Sequence, residues 1–289
     1  MTGAPRLGAF AELVRAPAAL TVLGDTVTGA AAAGRPLRGR RWALPLASAA
    51  FYWAGMALND WADRDLDAVE RPERPIPSGR ISSGAALAAG GVLTAAGLGL
   101  AGFGGGQRCL RIAAPLAAAV WAYDTRLKGT AAGPLGMATC RALDVLLGAD
   151  GRWRGAAPAA AALGVHTLGL TALSGGEVHG GSSETATAAL AGTAASTGLA
   201  VTGRSARRSH RLAALAFGAG YAGTVGRAQY RAAASPSAAH VRTATAAGIH
   251  GMVPLQASLI ARHGAVRTAT ALAGALPLAR RLARKVSPT

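Results

Sequence analysis

Four aspartates lie close together between Asn59 and Asp67, at a spacing that could serve metal chemistry. On a helix, Asn59, Asp63 and Asp67 would share a stripe about 80° wide, with Asp60 beside it. Carboxylates on one face repel each other, so such a helix would lose stability without a cation. Oxygen ligands suit Mg²⁺, which binds one or two carboxylates and otherwise water and phosphate oxygens.

Arginines follow the acidic stripe directly, in the sequence Arg-Pro-Glu-Arg-Pro-Ile-Pro-Ser-Gly-Arg over residues 71–80. The prolines end regular helix. Guanidinium groups meet phosphate oxygens in pairs, so Arg71 and Arg74 suit a diphosphate held by the same metal. The stretch therefore predicts a Mg²⁺-diphosphate site. The alternative interpretation is a solvated helix end, where Asp and Arg side chains pair weakly with each other.

Long apolar runs surround this polar stretch. The chain has 289 residues, of which 51% are hydrophobic and 15% charged, and its mean hydropathy is +0.29. Runs of about 17 to 20 apolar residues can cross a bilayer core as helices. We therefore predict an all-α polytopic membrane protein, a single domain over residues 1–289. The nine predicted spans are 17–33, 42–58, 85–103, 110–123, 131–147, 157–173, 186–201, 212–225 and 241–260, and a run at 266–279 is either a tenth span or a surface helix.

The net charge of +17 might be read as a sign of nucleic-acid binding. However, 28 of the 30 basic residues are arginines, and most lie in short connections between apolar runs, where they are expected to meet anionic lipid head groups. Aromatic residues make up only 4% of the chain, too few for stacking on bases, so we predict no nucleic-acid partner. The first run is predicted to be a retained helix, and the alanine-, glycine- and arginine-rich composition favours a bacterial plasma membrane.

Two further loops return to the face of the acidic stripe if the spans alternate in direction. The first, Tyr-Asp-Thr-Arg-Leu-Lys at 123–128, would bring Arg126 and Lys128 toward the diphosphate. The second, at 174–184, holds Glu177 and His179 among glycines, which allow close approach of a charged ligand. The alternative for the second loop is a flexible connection without a role in binding.

A few polar residues lie inside the apolar runs. Arg141 and Asp144 are three residues apart in the fifth run, and Asp25 is in the first. Charges at membrane depth usually face a cavity or each other, so Arg141 and Asp144 either pair structurally or line the pocket. His166 and His250, each alone in an apolar run, are predicted to be core histidines.

The acidic stripe and its arginines, Asn-Asp-x-x-Asp-x-x-x-Asp followed by Arg-Pro-x-Arg-Pro-x-Pro-Ser-Gly-Arg, resemble the UbiA superfamily of intramembrane prenyltransferases. Arg15-Ala16-Pro17 looks like the Arg-Pro at the start of the family's first helix, and the 123–128 loop is similar to its Tyr-x-x-x-Lys-type loop. The resemblance implies about nine transmembrane helices around a central cavity, with two acid-rich motifs that hold Mg²⁺ and a prenyl diphosphate.

The resemblance also implies roles for individual residues. In the second motif, Gly181 stands where the family has a partner acid, which leaves Glu177, His179 and Glu184. Asp25, Arg141 and Asp144 are assigned to the acceptor end of the pocket. The predicted metal ligands are Asn59, Asp60, Asp63, Asp67 and Glu177; the predicted catalytic residues are Asp63, Asp67, Lys128 and Glu177; the predicted substrate-binding residues are Arg71, Arg74, Tyr123, Arg126, His179, Arg141 and Asp144.

The predicted function is Mg²⁺-dependent transfer of a prenyl group from a prenyl diphosphate to an aromatic or lipid-like acceptor. The metal would act as Lewis acid and template while the allylic carbon–oxygen bond ionises. One alternative is a UbiA-type terpene cyclase, which needs no external acceptor. A second alternative is a non-catalytic membrane protein that uses the acidic stripe only as an ion site.

Overall fold

The computed structural model describes residues 4–15, 22–203 and 205–275, and all the regular secondary structure in this part of the chain is helical. Two short turns accompany the α-helices, a 3₁₀ turn at Gly39–Trp42 and a π-helical turn at Tyr123–Leu127. The helices are α1 (Ala4–Leu13), α2 (Leu23–Ala32), α3 (Ala43–Ala62), α4 (Arg64–Glu70), α5 (Ser83–Gly105), α6 (Gln107–Ala122), α7 (Gly133–Gly148), α8 (Trp153–Ser174), α9 (Ser183–Val201), α10 (Arg208–Ala234), α11 (Ala238–Arg262) and α12 (266–275).

The long helices pack in chain order into a closed ring. From α5 to α11 each helix contacts the next, and α11 returns to α2, which packs on α3, while α3 packs on α5. Short connections make successive helices antiparallel. Contacts of α2 with α7 and of α8 with α11 cross the ring and fill its centre. The ring explains how distant parts of the sequence can meet around one central cavity.

All nine predicted spans coincide with helices wherever the chain is described. The first prediction, 17–33, is only partly testable because residues 16–21 lie outside the described residues, and so do 276–279 of the tenth run. By length and composition alone, two helices in the described ranges, α5 and α8, are long and apolar enough to cross a membrane. The all-helical prediction is therefore confirmed, whereas the number of spans stays a prediction.

The acidic stripe departs from the single helix predicted over residues 59–70. α3 ends at Ala62, α4 begins at Arg64, and Asp63 between them has φ −85° and ψ 0°. Backbone hydrogen bonds still join Asp63 to Asn59 at 3.0 Å and Asp67 to Asp63 at 2.8 Å. Asp63, at this break, pairs with Lys128, whereas Asp60 and Asp67 pair with arginines.

Close backbone contact holds α2 against α7. A Cβ added at Gly29 would overlap the carbonyl of Val145, and one added at Gly148 would overlap the carbonyl of Thr26. Small residues at helix crossings let backbones approach closely, which is the usual way that membrane helices gain packing energy. These two glycines therefore position α2 and α7, the helices that carry Asp25 and Asp144.

We expect Gly148→Ala to destabilise the bundle by about 1–3 kcal/mol or more, because the new methyl group has no room beside Thr26. Gly99→Ala is the matched control, since this exposed glycine in α5 has nothing within 4 Å of its Cβ position. Melting temperatures of both variants in detergent check the expectation. Equal melting temperatures would show that the close packing of α2 on α7 does not contribute to the stability of the bundle.

Candidate active site

The acidic stripe lies at the end of the ring where α3, α6, α8 and α10 terminate. The connections 123–132, 175–182 and 235–237 lie at the same end, as the alternation of spans predicts. The opposite end carries the connections that begin after α2, α5, α7, α9 and α11. Polar loops from several parts of the sequence thus surround the carboxyl end of α3.

Arg74 links two of the four aspartates. One of its terminal nitrogens lies 2.6 Å from Asp67 and 3.3 Å from Asp60, and both carboxylates are buried, with 2% and 5% of their surface exposed. Arg71 approaches Asp67 at 3.9 Å from the more exposed side. The predicted arginines therefore lie at the acidic stripe, where the same guanidinium groups are placed to meet an anionic ligand.

Arg15 is a functional candidate to which the sequence analysis assigned no role. Its guanidinium lies 3.4 Å from Asp60 and 3.6 Å from the sulfur of Met56. The residue has φ +46°, an uncommon value for a side chain other than glycine. The Arg-Ala-Pro sequence was the signal that could have placed it in the site.

Lys128 and Asn59 connect the acidic stripe to the turn after α6. Lys128 forms an ion pair with Asp63. The Asn59 amide donates to Asp124 at 3.4 Å. Burial raises the pKa of Asp124 to about 7, against the lowering effects of Asn59 and Lys128. Asp124 is thus partly protonated at neutral pH and adds less negative charge than its neighbours.

Two cavities lie near the carboxyl end of α3. A polar cleft of about 500 Å³ is lined by Glu12, Arg15, Asp60, Arg71, Glu73 and Arg74. A mainly apolar cavity of about 250 Å³ runs along α3 from Asn59 to Ser48, with Tyr123 in its wall. Because Asn59 and Asp60 are consecutive, a ligand with a charged head and an apolar body could occupy both spaces.

Polar side chains form the deep end of the apolar cavity. Arg141 donates to Asp25 at 2.5 Å, and Asp25 also accepts from Gln256 at 2.7 Å. Asp144 accepts from Ser48 at 2.5 Å, while its other oxygen, buried, has no hydrogen-bond partner within the described residues. The option of a direct Arg141–Asp144 pair is wrong, because α2 supplies a closer carboxylate; both side chains line the cavity.

Other predicted site residues lie apart from the acidic stripe. Arg126 and His179 are exposed, and no side-chain contact within the described ranges joins either of them, or Glu177, to the stripe. The carbonyl of Glu177 instead accepts from Arg242 at 2.7 Å, which holds the α8–α9 turn against α11. Their roles therefore stay predictions.

The two histidines predicted to lie in the core, His166 and His250, differ in exposure. His166 is a satisfied core residue as predicted, bonded to Tyr221 at 2.7 Å and to the carbonyl of Gly248 at 3.1 Å. His250 is exposed, so the prediction that it belongs to the core is wrong. Its helix is apolar on both faces, and periodicity alone does not separate the core-facing side from the lipid-facing side.

The donor set at the stripe fits Mg²⁺. Within the described residues there is no group of three or more His, Cys, Asp or Glu side chains that could hold a metal ion. Mg²⁺ does not require such a cage, because water and substrate phosphates complete its octahedron. Asn59, Asp63 and Asp67 supply hard oxygen donors, and Arg74 and Lys128 pair with two of these carboxylates.

The exposed side of α4 carries apolar side chains between the exposed acids Asp65 and Glu70. Leu66 is 55% exposed and Val69 is 83% exposed. Asp67 on the same helix is buried against Arg74. α4 thus covers the acidic stripe with one face and presents hydrophobic side chains outward with the other.

The fold and site together define a membrane helix bundle with an arginine-rich cleft and a mainly apolar cavity near the end of one helix. The model of the UbiA prenyltransferase family matches residues 21–174, more than half of the chain. The chain belongs to this family. The match covers the acidic stripe, its arginines, Lys128, Arg141 and Asp144.

Relatives of known name match shorter regions. The chain is 39% identical over 123 residues to digeranylgeranylglyceryl phosphate synthase of Methanopyrus kandleri, a region that covers 42% of this chain and 45% of the relative. It is 53% identical over 45 residues to the chloroplastic chlorophyll synthase of Arabidopsis thaliana, which covers 16% of this chain and 12% of the relative. The matched regions thus span less than half the length of these relatives.

Solved structures match the fold over most of the chain. A structure of digeranylgeranylglyceryl phosphate synthase has a TM-score of 0.68 at 17% identity, with 91% of this chain and 99% of that chain covered. The apo structure of a UbiA homologue from Aeropyrum pernix K1 has a TM-score of 0.65 at 16% identity, with 84% and 96% covered. These matches confirm the predicted architecture.

The two cations of the 123–128 loop are expected to differ in effect. Lys128→Met should weaken binding of inorganic pyrophosphate with Mg²⁺ by about 10- to 100-fold, the loss expected for a charged contact beside Asp63. Arg126→Met, the control from the same loop, should change the dissociation constant less than about threefold, as is usual for an exposed charge. Calorimetric titration measures both, and equal losses would contradict the described orientation of this loop.

Proposed function

We propose that this protein transfers a prenyl group from a prenyl diphosphate to a second, hydrophobic molecule within the membrane. The observation that carries the proposal is the nearness of an arginine-lined cleft to a mainly apolar cavity, since Asp60 lines the first and the adjacent Asn59 lines the second. A prenyl diphosphate has the matching division into a charged head and an apolar chain. Membership of the UbiA family and the names of the relatives support the same chemistry.

The residues of the cleft would act on the leaving group. Asn59, Asp63 and Asp67, helped by Asp60, would hold Mg²⁺, which neutralises diphosphate charge when bound. Arg74, Arg71 and Lys128 would stabilise the negative charge that grows on the diphosphate as the allylic carbon–oxygen bond breaks. The bonding electron pair leaves with the diphosphate, and arginine forks are suited to hold it by paired hydrogen bonds.

The apolar cavity would protect the allylic cation from water until the acceptor attacks. Phe51, Leu116 and Val120 line it beside Asn59 and supply no nucleophile. A new bond then forms between the allylic carbon and the acceptor, which loses a proton. Exclusion of water matters here, because water would otherwise capture the cation.

The deep polar cluster would recognise the acceptor. Arg141 binds Asp25, and the Asp144 carboxyl neighbours that of Asp25 and lines the cavity. A buried polar group that faces a cavity favours a ligand that can form a hydrogen bond with it, since leaving such a group unpaired costs about 1–3 kcal/mol. The molecule that receives the prenyl group would therefore carry a hydroxyl or another group able to form a hydrogen bond.

A terpene cyclase is the second candidate, and it would use the same cleft and cavity without a second substrate. The polar side chains of Arg141 and Asp144 in the cavity wall argue against it, because they favour a polar partner over a purely hydrocarbon chain.

Localisation in a bacterial plasma membrane stays a prediction, because the two relatives described above come from an archaeon and a plant.

Pyrophosphate release from farnesyl and geranylgeranyl diphosphate tests the proposal. Release by purified protein should require Mg²⁺ and fall at least about 100-fold in Asp63→Ala, which loses a carboxylate at the reacting end. Asp65→Ala is the matched control, since its side chain is 87% exposed. No release from folded wild-type protein with Mg²⁺ and added membrane lipid extract would leave the acidic stripe as an ion site only.

Asp144→Asn separates transferase from cyclase. With radiolabelled prenyl diphosphate and membrane lipid extract, we expect label in a second molecule and about a tenfold higher half-saturating extract concentration in this variant, because the amide accepts more weakly than the carboxylate. Thr139→Ala, on the same helix but exposed, is the control. Label found only in hydrocarbon products, with no dependence on extract, would favour the cyclase.

A further inference from the structure

A second charged cleft lies at the end of the bundle opposite the acidic stripe. It has a volume of about 440 Å³ and is lined by Arg35, Arg38, Arg40, Arg41, Arg108, Asp150 and two glycines at the end of α5. These residues come from three places in the chain: the connection after α2, the junction of α5 with α6, and the connection after α7. The cleft is therefore built by the tertiary fold and does not belong to the site already described.

The charge in this cleft is strongly unbalanced. Asp150 binds Arg35 at 2.5 Å and Arg41 at 3.1 Å. Arg38, Arg40 and Arg108 have no side-chain hydrogen bond or ion pair within residues 4–15, 22–203 and 205–275. Five guanidinium groups thus face a single carboxylate, and three of them have their donors available for a ligand.

The wall of the cleft is held in place by close packing. Asp150 is 5% exposed and has φ +46°, a left-handed conformation that aspartate tolerates better than most residues. A Cβ at Gly105 would come within 3.0 Å of the Asp150 carboxylate, and one at Gly151 within 3.0 Å of the Arg108 side chain. Asp150 therefore acts as a fixed anchor that keeps Arg35 and Arg41 directed at the cleft.

Large apolar side chains are exposed beside the cleft. Trp42 is 59% exposed, Leu46 is 57% exposed and Phe103 is 66% exposed. Trp42 follows Arg41, and Phe103 precedes the glycines of the cleft wall. Exposed tryptophan is common where a membrane protein passes from hydrocarbon to head groups. The arginines thus lie at the level where lipid phosphates are found, with an apolar surface directly adjoining them.

We propose that this cleft binds the phosphate-bearing head group of an anionic membrane lipid. Guanidinium forks match phosphate oxygens in charge and geometry, and basic pockets between membrane helices bind lipid head groups. The exposed Trp42, Leu46 and Phe103 surface adjoins the acyl chains and favours a lipid over a soluble phosphate. The site lies in the membrane leaflet opposite the acidic stripe, and it does not depend on the reaction proposed above.

Binding of added phosphatidylglycerol to delipidated protein, measured by native mass spectrometry, tests this site. The test variant is Arg38→Gln/Arg40→Gln/Arg108→Gln, which leaves the Asp150 ion pairs intact. Arg207→Gln/Arg208→Gln/Arg211→Gln is the matched control, with the same charge change among exposed arginines at the same end of the bundle. We expect the test variant to lose affinity at least about tenfold and the control to change less than about twofold.

A second variant and two competing ligands complete the test. The same three positions changed to lysine keep the charge but lose the paired donors, and affinity should still fall several-fold. Soluble glycerol phosphate and phosphatidylcholine should compete poorly. Equal losses of lipid affinity in the test and control variants would contradict the proposal, because they would show that the lipid responds only to overall surface charge. Equal binding of glycerol phosphate would assign it to a soluble phosphate, and equal binding of phosphatidylcholine would remove its preference for an anionic head group.

Discussion

Neutralisation of buried carboxylates at the end of α3 is the constraint on which the rest of the active end depends. Asp60 and Asp67 are almost fully buried, and a buried carboxylate without a cation is strongly destabilising. The cations come from different segments: Arg15 follows α1, Arg74 lies between α4 and α5, and Lys128 follows α6. Charge compensation thus draws three distant connections to one point.

The same arrangement divides the ligand space by polarity. The cations and carboxylates surround a cleft outside the bundle, whereas the ring of helices encloses an apolar cavity next to it. Helices packed through glycines at Gly29 and Gly148 bring α2 and α7 close enough for Asp25 to meet Arg141 at the deep end. Packing and electrostatics therefore fix the polar cleft and the apolar cavity near the same end of α3.

The helices and the cluster of acids at the end of α3 were predictable from local sequence. Bilayer crossing requires long apolar helices, and metal binding requires clustered oxygens. The helices, and the position of Arg74 beside the acidic stripe, followed from these requirements. The pairings between residues far apart in the sequence could not be predicted from these requirements. Arg141 pairs with Asp25, which is 116 residues away, in preference to the nearby Asp144, because α2 packs beside it. The break at Asp63 likewise accompanies its pairing with Lys128, which no local pattern specifies.

The exposed Leu66 and Val69 of α4 bear on how the proposed substrate would reach the cleft. They give the short helix that carries Asp67 an apolar surface between the exposed acids Asp65 and Glu70. In the reaction proposed above, an amphiphile that enters from the lipid beside α4 would keep its head near charged side chains and its chain near apolar ones. Such a route would reduce the cost of moving a phosphate into hydrocarbon or an apolar chain into water.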